Sequence, residues 1–125
     1  FFLPGEPQVY YVGLLNGMDD KELFEKTGQG RDVNRHHYTP QEIEKALAQP
    51  VTQAIIALAR LRKHPAFDGA FSWNVTGQSS MELGWVYGEH SLTLSIDTKT
   101  SDFEIQVSGA TNERKLHGLD ELASY

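Results

Sequence analysis

The chain has 125 residues, 39% apolar and 22% charged, with 11 lysines and arginines against 17 aspartates and glutamates, a net charge of −6. Two Trp, five Tyr and six Phe supply one domain's core and exclude disorder, while the acidic balance excludes a binder of nucleic-acid phosphates, which needs a basic stripe. With no cysteine there is neither a disulfide framework nor thiolate chemistry, and no apolar run approaches the roughly 20 residues of a membrane span. No nucleic-acid and no membrane partner is expected, and the expected location is the cytoplasm.

The N-terminal FFLPGEPQ has no basic leader, no sustained apolar stretch and no initiator Met, so it reads as the interior of a longer chain rather than a signal peptide. After the Pro4–Pro7 turn, QVYYVGLL is a continuous β-favouring run of the kind found in strands buried on both faces. No second such strand follows in a βαβ setting, so the sheet receiving it is expected outside this sequence.

Gly13 to Tyr38 is a long polar connection with one short helix, started by an Asp19/Glu22 capping pattern and stopped at Thr27-Gly28. Thr39-Pro40-Gln41-Glu42 combines an N-cap, a proline at the first helical position and a capping-box Glu. The helix it opens presents Ile43, Ala46 and Leu47, and Pro50 breaks it. A second helix begins near Val51, carries Val51, Ala54, Ile55, Leu58 and Leu61 at helical spacing, and ends at His64-Pro65.

From Phe71 the period becomes two: Phe71/Trp73/Val75, Met81/Leu83/Trp85/Tyr87, Leu92/Leu94/Ile96 and Phe103/Ile105/Val107. Four antiparallel strands joined as a meander are predicted, with one covered face. The tail offers only Leu116, Leu119 and Leu122, a weak stripe for a short docked helix or a frayed end. The fold class is α+β.

Candidate chemistry is sparse. The adjacent carboxylates Asp19-Asp20 and Asp120-Glu121 fall at helix starts or in the tail, where dipole complementarity accounts for them. Glu82, Asp97, Asp102 and Glu104 read as solvated-face or turn charges. Gly28-Gln29-Gly30 lacks the third glycine of a phosphate cradle and reads as a turn. His36-His37 is spaced too closely for both rings to converge on one metal, so no metal site and no cofactor is expected. Alternation makes Trp73, Trp85 and Tyr87 core residues rather than a sugar-stacking platform. The polar residues of most interest are Arg31, Asp32 and Arg35, late in the long loop, with local ion pairing as the plain alternative.

The phrases PGEPQVYYVG and GRDVNRHHY, within FFLPGEPQVYYVGLLNG, ELFEKTGQGRDVNRHHYTPQEIEKALAQPV and LRKHPAFDGAFSW, resemble the C-terminal part of sucrose phosphorylases, members of glycoside hydrolase family 13 in the α-amylase superfamily. The resemblance covers about the first 75 residues strongly. It implies that QVYYVG is the eighth strand of a (β/α)8 barrel, that residues 13–38 form its eighth βα loop, and that the helices near 40–63 complete the barrel. It implies two regions: 1–66 as the end of the barrel and 67–125 as an antiparallel β-domain. A whole barrel takes roughly 250 residues, so the chain is expected to be a fragment.

In the family a nucleophilic Asp, an acid/base Glu and a stabilising Asp transfer glucose from sucrose to phosphate, giving α-glucose 1-phosphate and fructose. The segments carrying those carboxylates are absent from this sequence, so no catalytic residue is assigned within it. The resemblance matches Arg31 to the arginine that holds the glucosyl unit, with Arg35 as a second substrate-binding candidate or a brace of the loop. Sucrose or a related α-glucoside, with phosphate, is the implied substrate pair. The residues HHY and Asn16-Gly17-Met18 depart from the usual pattern, which leaves sucrose 6-phosphate, glucosylglycerol and glucosylglycerate open as donors, beside a purely structural module. An unpaired QVYYVG strand is expected to drive self-association of the isolated chain.

Overall fold

A computed structural model describes residues 1–125. Five strands form one antiparallel sheet in chain order: β1 (Ala70–Val75), β2 (Ser80–Tyr87), β3 (His90–Asp97), β4 (Phe103–Ser108) and β5 (Glu113–His117). The first four are those expected from the period-two pattern. Phe71 lies opposite Trp85, Trp85 opposite Leu92 and Leu92 opposite Val107, so their apolar phases share one face.

Turn chemistry holds this register. Gly88, at φ 56°, opens the two-residue link between β2 and β3, where a II′ hairpin calls for glycine. Between β3 and β4 the Asp97 carboxylate accepts from the N–H groups of Lys99 and Thr100 at 2.8 and 3.2 Å, and from the hydroxyls of Ser79 and Ser80 at 3.1 and 3.3 Å. Those donors, the backbone ones foremost, hold its carboxyl below the usual range. Asp97 therefore organises two turns and is not a merely solvated charge.

The fifth strand departs from expectation. Leu116 lies on β5 opposite Ile105 and is buried, and only Gly118–Ala123 becomes helical. Pairing to β4 captures a segment, ERKLH, whose own pattern is too polar to announce a strand.

Against the apolar face lies the helix Pro50–Leu61, with Pro50 in its first turn. Its Ala54, Ala57 and Leu61 join Leu83, Trp85, Leu92, Ile105, Val107, Leu116 and Leu122 in one core. Phe2 belongs to the same core, edge-on to Phe67 at 5.6 Å, and its carbonyl accepts from the Trp85 indole N–H at 2.7 Å. The Arg62 guanidinium stacks 4.1 Å from the Phe67 ring and donates to the Gly5 carbonyl at 2.7 Å. The first five residues are thus fastened to the sheet. Beside the core, Val51, Ile55 and Leu58 face Leu94, Ile96 and Phe103 across an apolar groove of about 390 Å³. No helix is long and apolar enough to cross a membrane.

Two expectations need correction. Gln8–Gly13 forms no strand: Gln8 to Tyr10 are unpaired and Tyr11–Leu14 is a single helical turn, α1. A strand needs a neighbour to take its N–H and C=O groups, and no strand of the chain pairs with this one. The backbone satisfies itself locally instead, Leu14 N–H to Tyr10 carbonyl at 2.9 Å and Leu15 N–H to Tyr11 carbonyl at 3.0 Å. The open strand edge on which expected self-association rested does not form. Of the three aromatics assigned to the core, only Trp85 is buried; Trp73 is 65% and Tyr87 55% exposed. Trp73 lies on β1, an edge strand of the sheet. The architecture is a five-stranded antiparallel sheet with helices, α+β.

Candidate functional site

The polar loop after α1 is built from three short pieces. Asp20 caps α2 (Lys21–Thr27), its Oδ1 accepting from the Leu23 N–H at 2.8 Å. The cap thus falls one residue after the expected Asp19. Gly28, left-handed at φ 66°, closes α2 as a C-cap glycine does. A 3-10 turn, Gly30–Asn34, carries Arg31, and α3 (Pro40–Leu47) opens on a complete capping box. In that box the Thr39 hydroxyl oxygen accepts from the Glu42 N–H at 3.3 Å, and the Glu42 carboxylate accepts from the Thr39 N–H at 2.7 Å.

Arg31 and Arg35 come together around one carboxylate. The Asp32 Oδ1 is 4.0 Å from Arg31 Nε and 4.0 Å from Arg35 Nη1. Asp32 is 15% exposed, whereas the arginine side chains are 66% and 48% exposed. At that separation and exposure the pairs are weak, so both guanidinium groups keep donors free. Arg31 therefore presents a planar fork on the surface, the geometry that suits sugar hydroxyls or a carboxylate.

His36, set aside in the sequence as a metal ligand, takes a different role here. Its Nδ1 lies 2.8 Å from Asp20 Oδ2 and its Nε2 3.4 Å from Glu42 Oε1. A protonated imidazole donates from both nitrogens, so His36 bridges the carboxylates that cap α2 and α3. Asp20 first, and Glu42 less strongly, raise the His36 pKa above its ordinary value against an opposing cost of desolvation. His36 in turn is the main reason the Asp20 carboxyl is held low. Glu42 is also lowered, principally by the Thr39 N–H and hydroxyl. The Tyr11 hydroxyl donates to the His36 carbonyl at 3.1 Å, and the Tyr38 ring stands edge-on to His36 at 4.7 Å. Burial, helped by Glu42, raises the Tyr38 phenol pKa. Gly17 lies beneath that phenol, and a Cβ there would displace the Tyr38 hydroxyl.

Asp20, His36 and Tyr38, with Gly17, Asp19 and Glu22, line an open polar hollow of about 560 Å³. Neither arginine lines it. His37, adjacent to His36, is exposed, and no group of three or more His, Cys, Asp or Glu side chains is arranged to hold a metal ion. The α3 cap was legible from spacing and the α2 cap to within one residue; the sixteen-residue jump from Asp20 to His36 was not.

Comparison with known proteins gives this arrangement its family context. No family model matches the chain. It is 47% identical over 98 residues, 78% of its length, to the glucosylglycerol phosphorylase of Marinobacter adhaerens, and 47% identical over 100 residues, 79% of its length, to the sucrose phosphorylase of Bifidobacterium adolescentis. The sucrose 6(F)-phosphate phosphorylase of Thermoanaerobacterium thermosaccharolyticum is 43% identical over 101 residues, 80% of the chain. These matches cover 20%, 20% and 21% of the relatives' own lengths. The crystal structure of sucrose 6F-phosphate phosphorylase from Thermoanaerobacter thermosaccharolyticum superposes with a TM-score of 0.88 at 38% identity, over 94% of this chain and 24% of that one.

By fold and sequence the chain is homologous to a part of carbohydrate-active phosphorylases. More narrowly, its homologues are the sucrose phosphorylases and their sisters for sucrose 6-phosphate, glucosylglycerol and glucosylglycerate. The chain spans about a fifth of the length of the curated relatives it matches.

Proposed function

We propose that the chain is the C-terminal part of a retaining, glucosyl-transferring phosphorylase, with sucrose as donor and phosphate as acceptor. The observation that carries this reading is the identity of 43–47% over about four-fifths of the chain to phosphorylases of glucosides. In that setting residues 1–66 complete a (β/α)8 barrel and 67–125 form the β-domain. Loops after barrel strands face the active site, and on this reading the Gly30–Asn34 turn is one of them.

The reaction is a double displacement. A carboxylate attacks the anomeric carbon and a carboxylic acid protonates the departing fructose oxygen; phosphate oxygen then displaces the enzyme carboxylate, yielding α-glucose 1-phosphate. The three catalytic carboxylates belong to earlier strands. This chain contributes binding: Arg31 donates to the glucosyl hydroxyls, and Arg35 supports it from the other side of Asp32. The charged product cannot cross a membrane unaided, which suits a cytoplasmic enzyme.

The test is phosphate-dependent release of glucose 1-phosphate by the full-length protein from sucrose, sucrose 6-phosphate, glucosylglycerol and glucosylglycerate. Release from sucrose supports the reading; release only from a rival donor keeps the mechanism and moves the substrate. Reducing sugar released without phosphate makes the protein a hydrolase and refutes it. The 125-residue chain alone is expected to release nothing.

A further inference from the structure

The Gly30–Asn34 turn bears an exposed arginine and is closed at its two ends by Asp32 N–H to Gln29 carbonyl at 2.9 Å and Arg35 N–H to Asp32 carbonyl at 3.2 Å. It is also held from outside. The Asp20 N–H donates to the Val33 carbonyl at 2.5 Å, and the Asp20 side chain bonds the His36 ring. The turn is therefore gripped on its C-terminal side at two points by one residue. His36 then passes the grip to Glu42 at the start of α3 and, through its carbonyl, to Tyr11 on α1. Three helix starts or faces meet on a residue five positions after Arg31.

We propose that His36 is a positioning residue: by bridging Asp20 and Glu42 it holds the Gly30–Asn34 turn so that Arg31 meets the glucosyl donor in a fixed orientation. The proposal rests on the phosphorylase reading given above. The arrangement depends on donor and acceptor matching. Both faces of the ring's edge meet carboxylates, so the doubly protonated ring satisfies both, while a neutral ring turns one lone pair toward a carboxylate oxygen. The charged or titratable groups around the ring are Asp19 before α2, its cap Asp20, Lys21, Glu22 and Lys26 from α2, Glu42 from α3, Tyr11 from α1, and the flanking Arg35, His37 and Tyr38. Among them only Asp20 and Glu42 bond the ring directly.

The full-length enzyme provides the test, through donor saturation kinetics and melting temperature of wild type, His36→Gln and the double variant His36→Gln/Glu42→Gln. A glutamine amide donates to Asp20 but turns its oxygen toward Glu42; converting Glu42 to an amide restores the match, and glutamine still serves in a capping box. We expect His36→Gln to raise the donor KM about tenfold, with kcat and phosphate KM within about twofold, because misplacing a binding group weakens substrate orientation before it touches the chemistry. The double variant regains most of that loss, and the wild-type donor KM rises as alkalinity deprotonates His36, a rise absent from His36→Gln.

A wild-type donor KM in His36→Gln, in an enzyme that Arg31→Ala impairs, overturns the positioning role and leaves the phosphorylase reading standing. If His36→Gln does not fold, a wild-type donor KM that stays flat through the His36 titration overturns the proposal on its own. A full-length protein that makes no glucose 1-phosphate from any donor overturns the phosphorylase reading, and the proposal with it.

Discussion

His36 shows how two ordinary caps become one charge-dependent unit. Its folded pKa is raised, so its stabilising contribution is complete below the ordinary value of 6.5 and is lost as pH climbs through the folded value. Asp20 and Glu42 are lowered from 3.8 and 4.5, so theirs is complete above those values and lost as pH falls through the folded ones. The bridge is therefore intact between about 4.5 and 6.5 and loosens on either side. Proton NMR of the 125-residue chain should find His36 titrating above 6.5, and Asp20→Asn should lower it more than Glu42→Gln does, since Asp20 is the larger cause. An unshifted His36 would contradict the bridge. A second residue-scale expectation concerns Trp85, whose buried indole N–H is the only side-chain donor seen on the Phe2 carbonyl. Trp85→Phe should cost about 2–4 kcal/mol in a denaturant melt, from an orphaned carbonyl plus a smaller ring in a tight core.

At the scale of elements, what the sequence reveals depends on whether the signal is local. The α3 capping box, the break before the second helix and the αL glycine after α2 are local devices, and each appears within a residue of where spacing put it. Thr39→Ala should remove the box and cost about 1 kcal/mol, read as a lower melting temperature. β5 and the Gln8–Gly13 segment were misread for the opposite reason, since a strand exists only through its neighbour. β5 looks unlike a strand and is one because β4 pairs with it; Gln8–Gly13 looks like a strand and is not one, because nothing in the chain pairs with it. Leu116→Ala tests the first half directly. With Leu116 fully buried opposite Ile105, the substitution should cost about 2–5 kcal/mol, where a frayed tail would cost almost nothing.

For the molecule as a whole, one core joins Phe2 near the start of the chain to the helix, the sheet and Leu122 near its end in one body, while the loop with Arg31 lies outside that core. Period-two and period-3.6 patterning were enough to read that body as α+β. Arg31 and Arg35 stand out in the sequence as candidates through the GRDVNRHHY phrase, while the Asp20–His36–Glu42 bridge needed three dimensions. The central claim is that this chain lends a glucoside phosphorylase a donor-binding arginine and no catalytic carboxylate. Arg31→Ala in the full-length enzyme tests it most directly, with sucrose phosphorolysis and melting temperature measured on the same preparation. The account predicts kcat/KM for sucrose lower by about a hundredfold, the loss expected for charge-assisted bonds to the donor, at an unchanged melting temperature. An activity within twofold of wild type, or a loss of activity that merely follows a loss of stability, would contradict it.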